Sequence, residues 1–221
     1  MKDEGKMKNN PLYFTDIYAI TDSNLSLGRP MTEVVAALLA SGVKIIQYRE
    51  KRKNAGEMLE ECKILRKMTR EAGALFIIND YVDIAMLVEA DGIHIGQDDL
   101  PAAEIRRLVG EKYIIGLSTH NPQQASKAVN DGIADYIGVG PIFPTRTKSD
   151  VCEAVGLEYL DYVVNSYSIP FVAIGGIKRN NLSSIVAHGA KCCCLVSELM
   201  GAPDIPVCVA EIRKIMKDAK I

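Results

Sequence analysis

Phe76-Ile-Ile-Asn-Asp80, followed by Asp91-Gly-Ile-His-Ile-Gly-Gln-Asp-Asp99, decides the reading of this chain. Each piece is a short apolar run that stops abruptly at amide or acid groups, as a buried parallel strand does when it delivers polar side chains to one end of a sheet. On adjacent strands, Asp80 and Asp99 would stand side by side. Two such carboxylates repel one another, and a hard divalent cation relieves that repulsion. The basic run Gln47-Tyr-Arg-Glu-Lys51 ends the preceding apolar run, so the same end of the sheet also offers cations. The combination suits a polyanion bridged by metal on one flank and held by positive charge on the other.

Working outward, one phrase recurs: a helical pattern, a glycine, a few buried residues, then polar groups. Gly42, Gly73, Gly132 and Gly189 hold the glycine position. Their spacing is one or two multiples of about 30 residues, the size of a strand, a helix and two loops. That ruler predicts strands near 17–21, 44–48, 75–79, 92–95, 114–118, 136–139, 171–174 and 193–196. Helices are expected near 31–40, 57–72, 82–88, 101–109, 122–130, 157–166, 180–188 and 207–217. Pro101, Pro122 and the Asn180-Asn181 pair read as helix starts, because proline fits the first turn and asparagine caps it. Eight alternating units predict an α/β fold closed into a single (β/α)8 TIM barrel over 17–221, after a polar extension over 1–16. No linker-like stretch divides the chain, and one domain is expected.

The formal net charge of −2 over 221 residues speaks against nucleic acid or a membrane surface as partner, since either needs a concentrated basic face. No signal peptide or spanning segment is recognisable, and a cytoplasmic location is expected. Six cysteines include no C-x-x-C pair. Cys192, Cys193 and Cys194 are consecutive and would alternate faces in a strand, so they read as small buried hydrophobes rather than metal ligands.

Sites in barrels collect at the carboxyl ends of the strands. Here those ends carry Thr21-Asp22, Arg49-Glu50-Lys51, Asn79-Asp80, Gln97-Asp98-Asp99, Ser118-Thr119-His120, Gly140-Pro141, Gly175-Gly176 and Ser197-Glu198. Asp80 and Asp99 are the candidate metal ligands, although each alone also reads as a loop acid or helix cap. Arg49, Lys51 and Lys148 form the cationic set, and alternation points Gln47, Arg49 and Lys51 the same way, inward. The longest connection, from Gly140 to about Val155, brings Thr145, Thr147, Lys148 and Ser149 as donors for an anion. Gly175-Gly176 with Val196-Ser197 suits a monophosphate after strands seven and eight, and a structural turn explains the glycine pair equally well. Among the histidines, His94 reads as a packed core residue and His188 as a helix end. His120 alone is placed for chemistry.

In order along the chain, Tyr18-Ala-Ile-Thr-Asp22, Gln47-Tyr-Arg-Glu-Lys51, Ile78-Asn-Asp80, Gly96-Gln-Asp-Asp99, Gly116-Leu-Ser-Thr-His120, the run from Gly138 to Lys148 and Ala173-Ile-Gly-Gly-Ile177 resemble the thiamine-phosphate synthase family, as far as Val196-Ser197. The resemblance implies a transferase that joins 4-amino-5-hydroxymethyl-2-methylpyrimidine diphosphate to a thiazole phosphate and releases pyrophosphate with the help of Mg2+. It matches Asp80 and Asp99 to the magnesium ligands. It matches Gln47, Tyr48, Arg49, Glu50, Lys51, Asn79, Ser118 and Lys148 to the pyrimidine diphosphate contacts, with Arg49, Lys51, Ser118 and Lys148 serving catalysis. Thr145, Arg146, Thr147, Gly176, Val196 and Ser197 match the thiazole phosphate site. Lys191-Cys-Cys-Cys194 departs from the family pattern and implies local repacking beneath Val196 and Ser197. A thiazole tautomerase of the same superfamily, another phosphosugar isomerase on this barrel and a non-catalytic binding module for thiamine precursors remain alternatives.

Overall fold

A computed structural model describes residues 11–145, 147 and 152–219. Eight strands pair in parallel and in sequence order: β1 (Tyr18–Ile20), β2 (Ile45–Tyr48), β3 (Leu75–Asn79), β4 (Gly92–Ile95), β5 (Ile114–Thr119), β6 (Tyr136–Val139), β7 (Phe171–Ile174) and β8 (Cys193–Cys194). Ile17 bridges in parallel to Cys193, which brings the last strand back to the first. The expected barrel is the observed one. The four repeating glycines take left-handed backbone at the helix-to-strand turns, φ 74°, 59°, 64° and 90° at Gly42, Gly73, Gly132 and Gly189.

The helices between strands are α1 (Met31–Ala40), α2 (Ala55–Glu71), α3 (Val82–Leu87), α4 (Ala102–Val109), α5 (Pro122–Asp131), α6 (Gly156–Ser166) and α7 (Leu182–Ala187). After β8 come the short α8 (Val196–Met200) and the closing α9 (Ile205–Asp218). Their local logic is ordinary. Asn54 and Glu57 form a reciprocal capping box at the start of α2, and Met58, Cys62, Leu65 and Thr69 give that helix its buried stripe. Asn121 caps α5 ahead of Pro122, and Asp204 caps α9. Two expectations shift. Residues 195–196, read as strand, leave the sheet and turn into α8. Asn181 does not cap α7 with its side chain and instead braces the loop before it, as described below.

Alternation along the strands separates two apolar layers. Ala19, Ile46, Tyr48, Phe76, Ile78, Ile93, Ile115, Ile137 and Cys193 face the helices. Tyr18, Ile20, Ile45, Ile77, Tyr136, Val172, Cys192 and Cys194 fill the barrel. Leu12 joins this inner cluster, so barrel packing reaches back into the 1–16 segment that the sequence set apart. At the same end, aspartates leading into strands are gripped by arginines from helices. Arg66 forks onto Asp91 at 2.7 and 2.9 Å, Arg106 reaches Asp135 at 2.6 Å, and Arg213 reaches Asp16 at 2.7 Å. Asp91 also accepts from the Phe76 N–H, and Asp135 from the Ile115 N–H, so each ties two strands together. Among the described residues, no helix is long and apolar enough to cross a membrane. None of the six cysteines forms a disulfide, and Cys152 is the exposed one.

Candidate active site

The tips of β1 and β2 are locked to one another at the carboxyl end. Thr21 Oγ1 donates to the Arg49 carbonyl at 3.1 Å and accepts from the Arg49 N–H at 2.9 Å, and the Arg49 guanidinium lies 3.2 Å from Asp22. Lys51 crosses to β3's tip, where its ammonium sits 2.8 Å from Asp80. Gln47, nearly sealed from solvent, points into the barrel and donates to the Tyr18 hydroxyl. The members of this run with even numbers behave differently. The Tyr48 side chain faces the helix layer and donates to Glu61 on α2 at 2.7 Å, so of this residue only the backbone lies along the cleft-facing run. Burial and the Glu61 carboxylate push its phenol far up. Glu50 bends its carboxylate onto the N–H groups of Lys51 and Arg52, at 2.7 and 2.8 Å, and so holds the loop rather than facing the cleft. Burial opposes the charged form of Glu50. The Arg52 N–H, the Ser23 hydroxyl and the Lys51 N–H outweigh it, keeping the acid below its usual range.

Asp80 and Asp99 do come together. Asp80 adopts left-handed backbone with φ 64°, which is uncommon for a residue bearing a side chain and aims its carboxylate at the neighbouring strand end. Burial raises the Asp80 carboxyl above its usual value; Lys51 opposes the rise, and the adjacent Asp99 reinforces it. Asp99 is held by the Gly96 N–H at 2.7 Å. Asp98 and Asp99 are both exposed. No group of three or more His, Cys, Asp or Glu able to hold a metal exists among the described residues. A pair of carboxylates is nonetheless the donor set that suits Mg2+, which keeps several waters and binds through one or two acids plus phosphate oxygens.

Behind these tips the barrel is polar in its middle. Tyr18 and Tyr136 share a 2.6 Å hydrogen bond, Tyr136 lies 3.0 Å from His94 Nδ1, and His94 Nε2 lies 3.0 Å from Ser118 Oγ. His94, read as a packed core residue, lies inside the barrel as a member of a hydrogen-bonded series. The signal for this was present: Gly116 and Gly138 sit within strands, where glycine marks a close approach. A Cβ on Gly116 would stand 2.1 Å from the Tyr136 ring, and one on Gly138 would stand 3.5 Å from His94. Gln97 donates to the Ser118 carbonyl at 2.6 Å, and alternation along β3 puts Asn79 on the inner face.

The opposite flank is built from β7, β8 and the 140–145 turn. Gly176, at φ 62°, lies so close to Phe143 and Pro144 that a Cβ would come within 2.6 Å of backbone. Loop packing thus accounts for this glycine. Asn181 fixes the same turn, accepting from the Lys178 N–H at 2.8 Å and donating to the Gly176 carbonyl at 3.0 Å. Val196 and Ser197 open α8. The Lys178 ammonium, which sequence reasoning passed over, donates to Ser197 Oγ at 2.7 Å and pairs with Glu198 at 3.5 Å. Thr145 Oγ1 accepts from the Thr147 N–H at 3.3 Å. Arg146 and Lys148 lie outside the described residues. His120 is a brace: its Nδ1 donates to the Gly140 carbonyl, and its N–H donates to Gln124.

Residues 17–199 match the family described as thiamine monophosphate synthase. The chain is 58% identical to a thiamine-phosphate synthase of Lawsonia intracellularis over 199 residues, covering 90% of this chain and 91% of that one. It is also 58% identical to one of Pelotomaculum thermopropionicum over 201 residues, 91% and 92% of the two chains. A solved thiamine phosphate pyrophosphorylase from Pyrococcus furiosus superposes with a TM-score of 0.85 at 37% identity, across 95% of this chain and 99% of that one. The sequence motifs, the eight-stranded barrel and these likenesses place the chain in one family: it belongs to the thiamine monophosphate synthases.

Proposed function

We propose that this chain is a thiamine-phosphate synthase, which couples 4-amino-5-hydroxymethyl-2-methylpyrimidine diphosphate to a thiazole phosphate and releases pyrophosphate. The observation that carries the reading is the Lys51, Asp80 and Asp99 cluster at adjoining strand tips, where burial and a second acid raise Asp80. Such a cluster is incomplete until a cation and an anionic ligand join it.

In this reading Gln47, Asn79 and Ser118 hold the pyrimidine, while Arg49, Lys51 and Lys148 hold the diphosphate. Thr145, Arg146, Thr147, Gly176, Val196 and Ser197 hold the thiazole phosphate, and Lys178 adds a positive charge beside Ser197. Asp80 and Asp99 would hold Mg2+, which when bound supplies charge neutralisation to the departing pyrophosphate. The bond from the exocyclic methylene to the diphosphate oxygen breaks with its electron pair leaving on pyrophosphate, and the thiazole nitrogen lone pair forms the new carbon–nitrogen bond. The pyrimidine amino group spreads the positive charge between these events. The side chains therefore need only orient two substrates and stabilise charge, and no side-chain nucleophile takes part.

The test is a coupling assay with both substrates, with and without Mg2+. Thiamine phosphate and pyrophosphate should appear in equal amounts and vanish on stringent chelation. Full activity after chelation would remove the metal from the mechanism. Isomerisation of the thiazole phosphate alone, with no coupling, would replace the synthase reading with the tautomerase one.

A further inference from the structure

Gln47 on β2 and Ser118 on β5 are joined across the barrel by Tyr18, Tyr136 and His94, and counting protons gives the series a direction. Gln47 Nε2 donates to the Tyr18 hydroxyl at 2.9 Å. An amide nitrogen cannot accept, so the Tyr18 proton goes to Tyr136 at 2.6 Å. Tyr136 has then received one proton and gives its own to His94 Nδ1 at 3.0 Å. A neutral imidazole accepting at Nδ1 carries its hydrogen on Nε2, which donates to Ser118 Oγ at 3.0 Å. The Ser118 hydroxyl, having accepted, directs its own proton away from His94. Gln47, having given an N–H to Tyr18, is left with Oε1 for its other side.

We propose that Tyr18, Tyr136 and His94 are positioning residues that set the polarity of the pyrimidine pocket, leaving Gln47 to present a carbonyl acceptor and Ser118 a hydroxyl donor. A ring edge with an amino donor beside a nitrogen acceptor fits that pair, whereas the 4-oxo analogue, with its carbonyl beside an N–H, meets each group with the wrong partner. The inference rests on the pyrimidine diphosphate reading of the site. Its own support is structural. Tyr18 and Tyr136 are 1% and 0% exposed, so water does not compete for their protons. Burial drives both phenols upward and keeps them protonated. Gly116 leaves the space that the Tyr136 ring occupies. Cooperative hydrogen bonding in a dry interior strengthens a series whose members all point one way.

Two measurements decide it. Nitrogen-15 NMR of the free protein should show His94 as the Nε2–H tautomer, and Tyr136→Phe should abolish that fixed state. Calorimetry should show the wild type, with Mg2+ present, preferring the aminopyrimidine diphosphate over its 4-oxo analogue by on the order of a hundredfold or more. Tyr136→Phe should cut that preference by about tenfold while leaving affinity for thiazole phosphate unchanged. Tyr18→Phe is expected to act in the same direction and replaces it should Tyr136→Phe lose its thermal unfolding transition. An Nδ1–H tautomer in the wild type, or an unchanged preference in a folded variant, overturns the proposal. If the wild type binds neither pyrimidine diphosphate, the synthase reading and the selectivity built on it both fail.

Discussion

At the floor of the barrel, Asp16, Asp91 and Asp135 are each gripped by an arginine from a helix; at the mouth, Asp80 and Asp99 crowd one another with Lys51 reaching Asp80. Both ends set aspartates against cationic side chains, and β4 carries one of these acids at each end. At the floor, each carboxylate finds its counter-charge within the fold, and Asp91 and Asp135 also accept a strand N–H. At the mouth, the fold supplies less than the acids require, and the deficit is what a ligand can fill. Stability is therefore concentrated at one end and function at the other, as the barrel architecture generally arranges them.

Substitutions can break or sharpen this contrast. The largest effect is expected from Asp99→Asn, which should lower turnover by on the order of a hundredfold or more in the coupling assay while leaving the melting midpoint nearly unchanged. Arg106→Ala should do the reverse. Arg106 serves the carbonyls of Gly110, Tyr113 and Ile133 as well as Asp135. Its loss should cost about 2–4 kcal/mol in denaturant unfolding and leave turnover per folded molecule intact.

Asp80→Asn is expected to lower turnover while raising the melting midpoint of the metal-free protein by about 2 °C. The sign follows from the raised acid: the folded state binds its proton more tightly than the unfolded chain does, so the charged form costs stability. That cost is absent below the ordinary carboxyl value of 3.8 and grows as pH rises through the folded value. Asparagine removes the charge and tolerates the left-handed backbone. A lower midpoint would mean that the Lys51 pair outweighs the crowding.

The smallest effect concerns Glu50, whose acid is held low. Its contribution is fully present above the ordinary carboxyl value of 4.5 and is lost as pH falls through the folded value. Glu50→Gln should lower stability slightly at neutral pH, where that contribution is present, and flatten the acid limb below pH 4.5, where it is lost anyway. An unaltered acid limb would show that its bonds to the loop N–H groups contribute nothing net.

The barrel was legible because its signals are local. Apolar runs ending in polar groups, and glycines recurring at one spacing, located all eight strands, and strand adjacency then brought Asp80 beside Asp99. What escaped was whatever depends on distant partners or on direction. Tyr48 and Glu50 sit in a run that resembles a binding motif as a whole, yet pleating turns Tyr48 to the helices, and Glu50 caps its own loop. Tyr18 and Tyr136 look like ordinary members of apolar strands, and only the contact between residues 118 positions apart shows that their hydroxyls meet. Lys178 was missed because it follows a glycine turn whose path the sequence does not fix. The arginine grips at the floor join helices to strands as far as 197 positions apart, with no pattern to announce them.

Gly116 and Tyr136 divide one small volume between two neighbouring strands. A descendant of this protein could grow a side chain on the first only by shrinking the second, and either change alone would meet a collision or leave a void. The two positions should accordingly drift in step, and Ser118 with its partner histidine would inherit a different orientation whenever they did.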